Sequence, residues 1–220
     1  MNYNFVNDFP YMYRQREVKS GKMKMNGIGT VKVEPDTAII NFGIITEDKV
    51  LQKAQKENSI ITTRVINYLK SMGIDEKDIT TTYYNVEAQY DYIEGEKIFR
   101  SYKVTNRLSV TIRNLDMVGE IVDGLTKNGV NEISNINFTV YNKSKYYRKA
   151  LNIAVEDAIV KALDIGKTLN VNVDDVPWSI EEQSYYYENV QDQSLKLAAV
   201  PIMPGQVKIT AKIQAIFRYI

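Results

Sequence analysis

Asp36-Thr37-Ala38-Ile39-Ile40-Asn41-Phe42-Gly43-Ile44-Ile45-Thr46 opens the stretch, residues 36–79, whose reading decides the fold. Residues 37–46 are rich in β-branched side chains and read as a strand. Residues 49–72 then place Val50, Ala54, Ile61, Val65, Tyr68, Leu69 and Met72 on one helical face. Glu47 and Asp48 supply an acidic start suited to the positive end of the helix dipole, and Gly73 fits the position just past its end. Asn58 falls on the apolar face, where an amide is expected to satisfy nearby backbone groups. Gly73-Ile74-Asp75-Glu76-Lys77-Asp78-Ile79 leads out into another strand.

The same order recurs further on. Ile40-Asn41-Phe42 returns as Ile136-Asn137-Phe138 and Lys53-Ala54 as Lys149-Ala150, at one fixed offset. The exit returns as Asn170-Val171-Asn172-Val173-Asp174-Asp175-Val176, one residue longer. A constant offset through strand, helix and turn points to a duplicated unit. The expected fold class is α+β: pseudo-duplicated β-α-β-β units, with antiparallel hairpins packed on two long helices and one shorter bridging helix. The expected organisation is an aromatic and basic arm over residues 1–22, then a single domain over 23–220 with pseudo-repeats at about 23–113 and 132–220.

Ahead of the first unit, Met23, Met25, Gly27, Gly29, Val31 and Val33 alternate as in a strand, and Glu34-Pro35-Asp36 turns the chain, so this strand and the next read as an antiparallel hairpin. Gly27-Ile28-Gly29 lacks a third glycine and a helix directly after it, and offers no phosphate seat. After the long helix, residues 79–93 and 98–112 form two strands joined at Glu94-Gly95-Glu96. Tyr83, Tyr84, Tyr90, Tyr92 and Tyr102 give them a tyrosine content expected to be half-buried. Asn114 caps a short helix to about Lys127, with Gly129 beyond it. A strand over 133–141 precedes a helix from about Ser144, whose Ala150, Ala154, Ala158 and Ala162 form a small-residue stripe suited to close packing. Asp157 and Lys161 are spaced for a surface ion pair. Strands over 176–187 and 206–219 close the chain around an irregular stretch, 188–204, with two prolines.

Composition removes many chemistries. The chain has 220 residues, 44% hydrophobic and 25% charged, with Lys and Arg at 28 against Asp and Glu at 27. So balanced a charge gives no general field for nucleic acid or anionic membrane. Cysteine and histidine are absent, which removes disulfides, thiolate nucleophiles, Cys/His zinc sites and Ser-His-Asp catalysis. Glu181-Glu182 and Glu156-Asp157 are neighbours that diverge on a strand and on a helix, so neither forms an acid/base dyad. No catalytic, cofactor-binding or metal-binding residues are assigned. The first ten residues have neither a basic nor an apolar segment of a signal peptide, and no apolar run is long enough to span a bilayer. The expected location is cytoplasmic.

The residues carry a family resemblance. Gly27-Ile28-Gly29-Thr30-Val31-Lys32-Val33-Glu34-Pro35-Asp36-Thr37-Ala38 resembles the opening of the SIMPL domain, also called domain of unknown function 541. The exit Gly73-Ile74 followed by Lys77-Asp78-Ile79-Thr80-Thr81 is similar to its helix-to-strand signature. So are Ala154-Val155-Glu156-Asp157-Ala158 with Lys161-Ala162, and the ending Pro201-Ile202-Met203-Pro204-Gly205-Gln206-Val207-Lys208-Ile209-Thr210-Ala211. The resemblance covers about residues 23–220. It implies kinship with periplasmic and outer-membrane-associated immunogenic proteins, an oxidative-stress-defence protein and a signalling adaptor, some forming ring-like or barrel-like homo-oligomers. It carries over no catalytic residues.

The function expected is therefore that of a non-enzymatic, self-assembling scaffold whose main partner is itself. The alternative is a binding module for a small hydrophobic ligand or protein partner, through the 188–204 loop and the tyrosine-rich hairpins. The candidate interaction surface is Tyr3, Phe5, Phe9, Tyr11 and Tyr13 on one face of an extended arm, with Tyr185, Tyr186 and Tyr187.

Overall fold

The computed structural model describes residues 20–189 and 205–220, the side chains of residues 184–189 excepted. Its elements are β1 (Gly21–Val33), β2 (Thr37–Asp48), α1 (Leu51–Ser71), β3 (Ile79–Ile93), β4 (Glu96–Ile112), α2 (Val118–Lys127), β5 (Glu132–Thr139), α3 (Lys143–Leu169), β6 (Ser179–Asn189) and β7 (Val207–Tyr219). One-turn 3₁₀ helices at Glu76–Asp78 and Leu115–Met117 precede β3 and α2. The chain is α+β, as expected, and the order strand-helix-strand-strand occurs at β2-α1-β3-β4 and at β5-α3-β6-β7.

The strands form two sheets, β3-β4-β2-β5 and β1-β7-β6. The hairpin expected of β1 and β2 does not form: β2 pairs with β4 and β5, while β1 pairs with β7. The connecting Glu34-Pro35-Asp36 explains the change of sheet. Pro35 has no N–H to extend a ladder, and Asp36 instead bonds the far end of β5, its N–H donating to the Thr139 carbonyl at 3.1 Å while its carboxylate accepts from the Tyr141 N–H at 2.7 Å.

Two compact units are distinguished among the described residues, one gathering residues 30–150 with 186–189 and 205–210 and the other residues 20–29, 151–185 and 211–220. In the first, Ala38, Ile40, Phe42 and Ile44 of β2 alternate inward, opposite Ile112, Val110, Leu108 and Asn106 of β4. Val65 and Leu69 of α1 and Val118, Ile121 and Leu125 of α2 close over them. Burying each Val, Leu, Ile or Phe side chain among them contributes about 1.5–3 kcal/mol. The short helix expected to bridge two halves thus belongs to this core. Tyr68 of α1 also donates its hydroxyl to the Glu120 carbonyl at 3.0 Å.

Both helices end in the same hydrogen-bonded reversal. Gly73, at φ 81°, lets Ile74 bond back to Leu69, and Gly129, at φ 106°, lets Val130 bond back to Leu125. At the start of α1, Asp48 accepts the Val50 N–H at 2.7 Å, whereas Glu47 turns away toward Ser101 and Arg100.

In the other unit the alanine stripe behaves as its spacing predicts. Ala154, Ala158 and Ala162 are fully buried, and the main chain of Gly27 lies against Ala154 and Ala158. The Asp157–Lys161 pair forms at 2.6 Å and does more than decorate the helix. Asp157 accepts the Ile28 N–H at 2.9 Å and Lys161 donates to the Asn26 carbonyl at 3.1 Å. Since β1 is the outer strand of its sheet, this pair occupies backbone groups that an edge would otherwise leave open.

Candidate functional site

A cluster of exposed apolar and aromatic side chains is built on the β3–β4 hairpin. Glu94 and Gly95 form its two-residue turn with φ 52° and 89°, the positive-φ geometry that suits right-twisted strands. The long ladder continues to Ile79↔Val110, with register shifts between Thr81 and Tyr83 and between Gln89 and Tyr90. Toward its base β4 buries Val104, Asn106 and Leu108, but residues 96–100 at its start are all exposed.

That exposed end is aromatic. Tyr90 and Phe99 meet edge-to-face with centroids 5.9 Å apart, Phe99 meets Tyr102 at 5.1 Å, and the Lys97 ammonium lies 4.0 Å from the Tyr90 ring centre. Tyr83, Tyr84, Tyr90 and Tyr92 are 45%, 53%, 42% and 73% exposed. Only Tyr102 of the five is half-buried as expected. The difference arises because strand composition reports β-propensity, whereas burial depends on which part of a sheet a helix covers. Ile93, Ile98 and Phe99 add to the surface, and β3 is the outer strand of its sheet. Arg100 bonds Asp91 at 3.4 Å and Lys103 lies 3.9 Å from Glu87, whereas Glu94 and Glu96 have no ion-pair partner among the described residues.

A second polar group lies inside. Asn58, 1% exposed, donates to the carbonyls of Ile44 at 2.9 Å and Val104 at 3.4 Å, the structural role expected for it. Asn106 donates to Thr62 at 3.0 Å, and its Oδ1 is buried without a partner. This small cluster holds α1 to β2 and β4.

The ionised pairs are structural too. Arg113 grips Asp78 through both guanidinium nitrogens, and that bond holds the Asp78 carboxyl below its ordinary range. Asp157 is lowered likewise, first by the Lys161 bond and then by the Ile28 N–H. Among the described residues no three carboxylates gather as a cation site, and no helix is long and apolar enough to cross a membrane.

Of the surface expected from sequence, Tyr3, Phe5, Phe9, Tyr11 and Tyr13 lie outside the described residues, as do residues 190–204 of the irregular stretch. Tyr185, Tyr186 and Tyr187 are carried on β6, and their side chains lie outside the described residues. Sequence reasoning missed Ile93, Ile98 and Phe99. Their signal was the two-residue turn itself, since a sharp turn between long strands sends both ends away from a helix-covered core.

Residues 23–217 match the family model SIMPL, described as "Protein of unknown function (DUF541)". The chain is 26% identical over 189 residues to "Uncharacterized protein YggE" of Escherichia coli strain K12, covering 86% of this chain and 77% of that one. It is 28% identical over 164 residues to the "26 kDa periplasmic immunogenic protein" of Brucella melitensis biotype 1, covering 72% and 66%. The Edwardsiella ictaluri YggE is 26% identical over 171 residues, covering 76% and 69%.

Proposed function

Because this chain belongs to the SIMPL family, whose function is unknown, we propose from its own surface that it is a non-enzymatic protein that assembles with copies of itself. One observation carries the reading. An outer strand of 15 residues, β3, and the start of β4 expose Tyr83, Tyr84, Tyr90, Tyr92, Ile93, Ile98 and Phe99 on one hairpin. An unpaired strand edge beside large exposed side chains is a template for association. Lys97 and Arg100, interleaved with the rings, keep the free surface wet and discourage indiscriminate aggregation.

Light scattering on the full chain at micromolar concentration tests this. The expected result is a mass that is a multiple of the 25.3 kDa chain and that falls when Tyr84 and Tyr92 are changed to lysine. A monomer at every concentration overturns it. The cellular location is part of the same proposal. The Brucella relative is periplasmic by name, and a cysteine-free chain suits an oxidising compartment as well as a reducing one. Fractionation of expressing cells separates export from the cytoplasmic location read from the sequence.

A further inference from the structure

Trp178 is the chain's single tryptophan, and it is 55% exposed. Its main-chain N–H donates to the Ile216 carbonyl at 2.7 Å, which places this residue beside β7. The Lys22 ammonium lies 3.6 Å from its ring centre and the Arg218 guanidinium 5.1 Å. Lys24 and Lys212 are also exposed on the same two strands. Among the described residues none of these four cations has a carboxylate within ion-pair distance. A ring face attracts a cation, but two cations sharing one ring repel each other. The platform is therefore left positive in a protein of net charge +1.

The opposite pattern stands on the β3–β4 turn. Glu94 and Glu96 flank Gly95, both without an ion-pair partner among the described residues, and Tyr92, Ile93 and Ile98 beside them are 73%, 55% and 45% exposed. Two carboxylates beside an apolar tip match two cations on an indole. We propose that the Glu94-Gly95-Glu96 turn of one copy docks on the Lys22–Trp178–Arg218 platform of a second copy. The proposal rests on the self-assembly reading above and names its contact. Because the two patches differ, the contact is head-to-tail, and it closes into a ring or continues as a filament. Complementary charge also makes its formation fast and sensitive to salt.

The test uses two charge-reversed full chains, Lys22→Glu with Arg218→Glu, and Glu94→Lys with Glu96→Lys. Their unfolding midpoints establish that each is folded. The neutral pair Lys22→Gln with Arg218→Gln substitutes for the first if reversal disturbs β1. Light scattering and Trp178 fluorescence are read at the concentration where the unchanged protein assembles. Each reversed chain alone is expected to lose assembly, with association weakened at least tenfold. An equimolar mixture of the two is expected to regain the large mass and to shift the Trp178 emission, since each turn then meets an opposite platform. Wild-type mass retained in either reversed chain overturns the docking, as does a mixture that stays dissociated. So does a polyanion such as a single-stranded oligonucleotide occupying Trp178 with no change in the mass of any chain. An unchanged protein that is monomeric removes the self-assembly reading itself. Assembly that persists in both reversed chains removes only this pairing.

Discussion

Arg107 of β4 reaches across Gly43 of β2 to grip Glu132 of β5 with two hydrogen bonds, at 3.1 and 2.9 Å. Gly43 is the register partner of both residues. A side chain there would begin 2.6 Å from the Glu132 carboxylate and 3.4 Å from the Arg107 stem. The missing side chain lets one ion pair span three strands, and the Tyr83 ring lies beneath the guanidinium at 5.5 Å.

Gly43→Ala is therefore expected to lower the melting temperature in the unchanged protein and to have a much smaller effect when Glu132 is already alanine. A double-mutant cycle measured by thermal unfolding reads the difference. Equal effects in both backgrounds would mean that Gly43 matters for some reason other than this bridge.

Gly27→Ala is expected to be more damaging, because its new methyl would sit 1.9 Å from the Ala154 carbonyl oxygen, a main-chain atom that cannot rotate away. Forcing strand and helix apart costs about 1–3 kcal/mol on the scale of overpacked cores. Urea unfolding measures it, and a loss under a few tenths of a kcal/mol would contradict this packing of α3.

Asn58→Ala removes the buried side-chain donor that the Ile44 and Val104 carbonyls share. The expected loss is about 1–3 kcal/mol, with the native mass of any assembly unchanged, since the residue is fully interior. A change in assembly without a change in stability would assign Asn58 a role beyond holding α1 to the sheet.

Acid should weaken the fold through Asp78 and Asp157. Both carboxyls are lowered in the folded state, by Arg113 and by Lys161 with the Ile28 N–H respectively. The stability they add is complete above the unfolded-state carboxylate range, near pH 4, and is lost as pH falls through their lower folded values. Asp157→Asn should be less stable than the unchanged protein at pH 7 and lose less on acidification to pH 2.5. Urea curves for the two chains over that range would show an equal or steeper loss in the variant if this assignment is wrong.

Glu94 holds φ 52° with no glycine's freedom. Glu94→Asn, which makes the Asn-Gly pair favoured in such turns, should stabilise the hairpin by about 0.5 kcal/mol. Thermal unfolding of the two chains side by side gives the answer, and a lower midpoint for the variant would mean that Glu94 has a stabilising contact in solution.

The sequence by itself determined the element order, the turn glycines and the inner face of the long helix. Apolar spacing over 49–72 settles which side of the long helix is inward, because burial of that side dominates local stability. Gly73 and Gly129 mark helix ends because only residues tolerant of positive φ close that reversal. Even the Asp157–Lys161 pair was legible, as helix spacing makes those side chains neighbours. Partnership was not legible. That β1 leaves β2 for β7, that Gly43 and Gly27 are crossing points, and that tyrosines of β3 face water depend on strands brought together from distant parts of the chain. A residue's own spacing records its period but not what lies opposite it, and only the tertiary structure decides whether a strand face meets a helix, another strand or solvent.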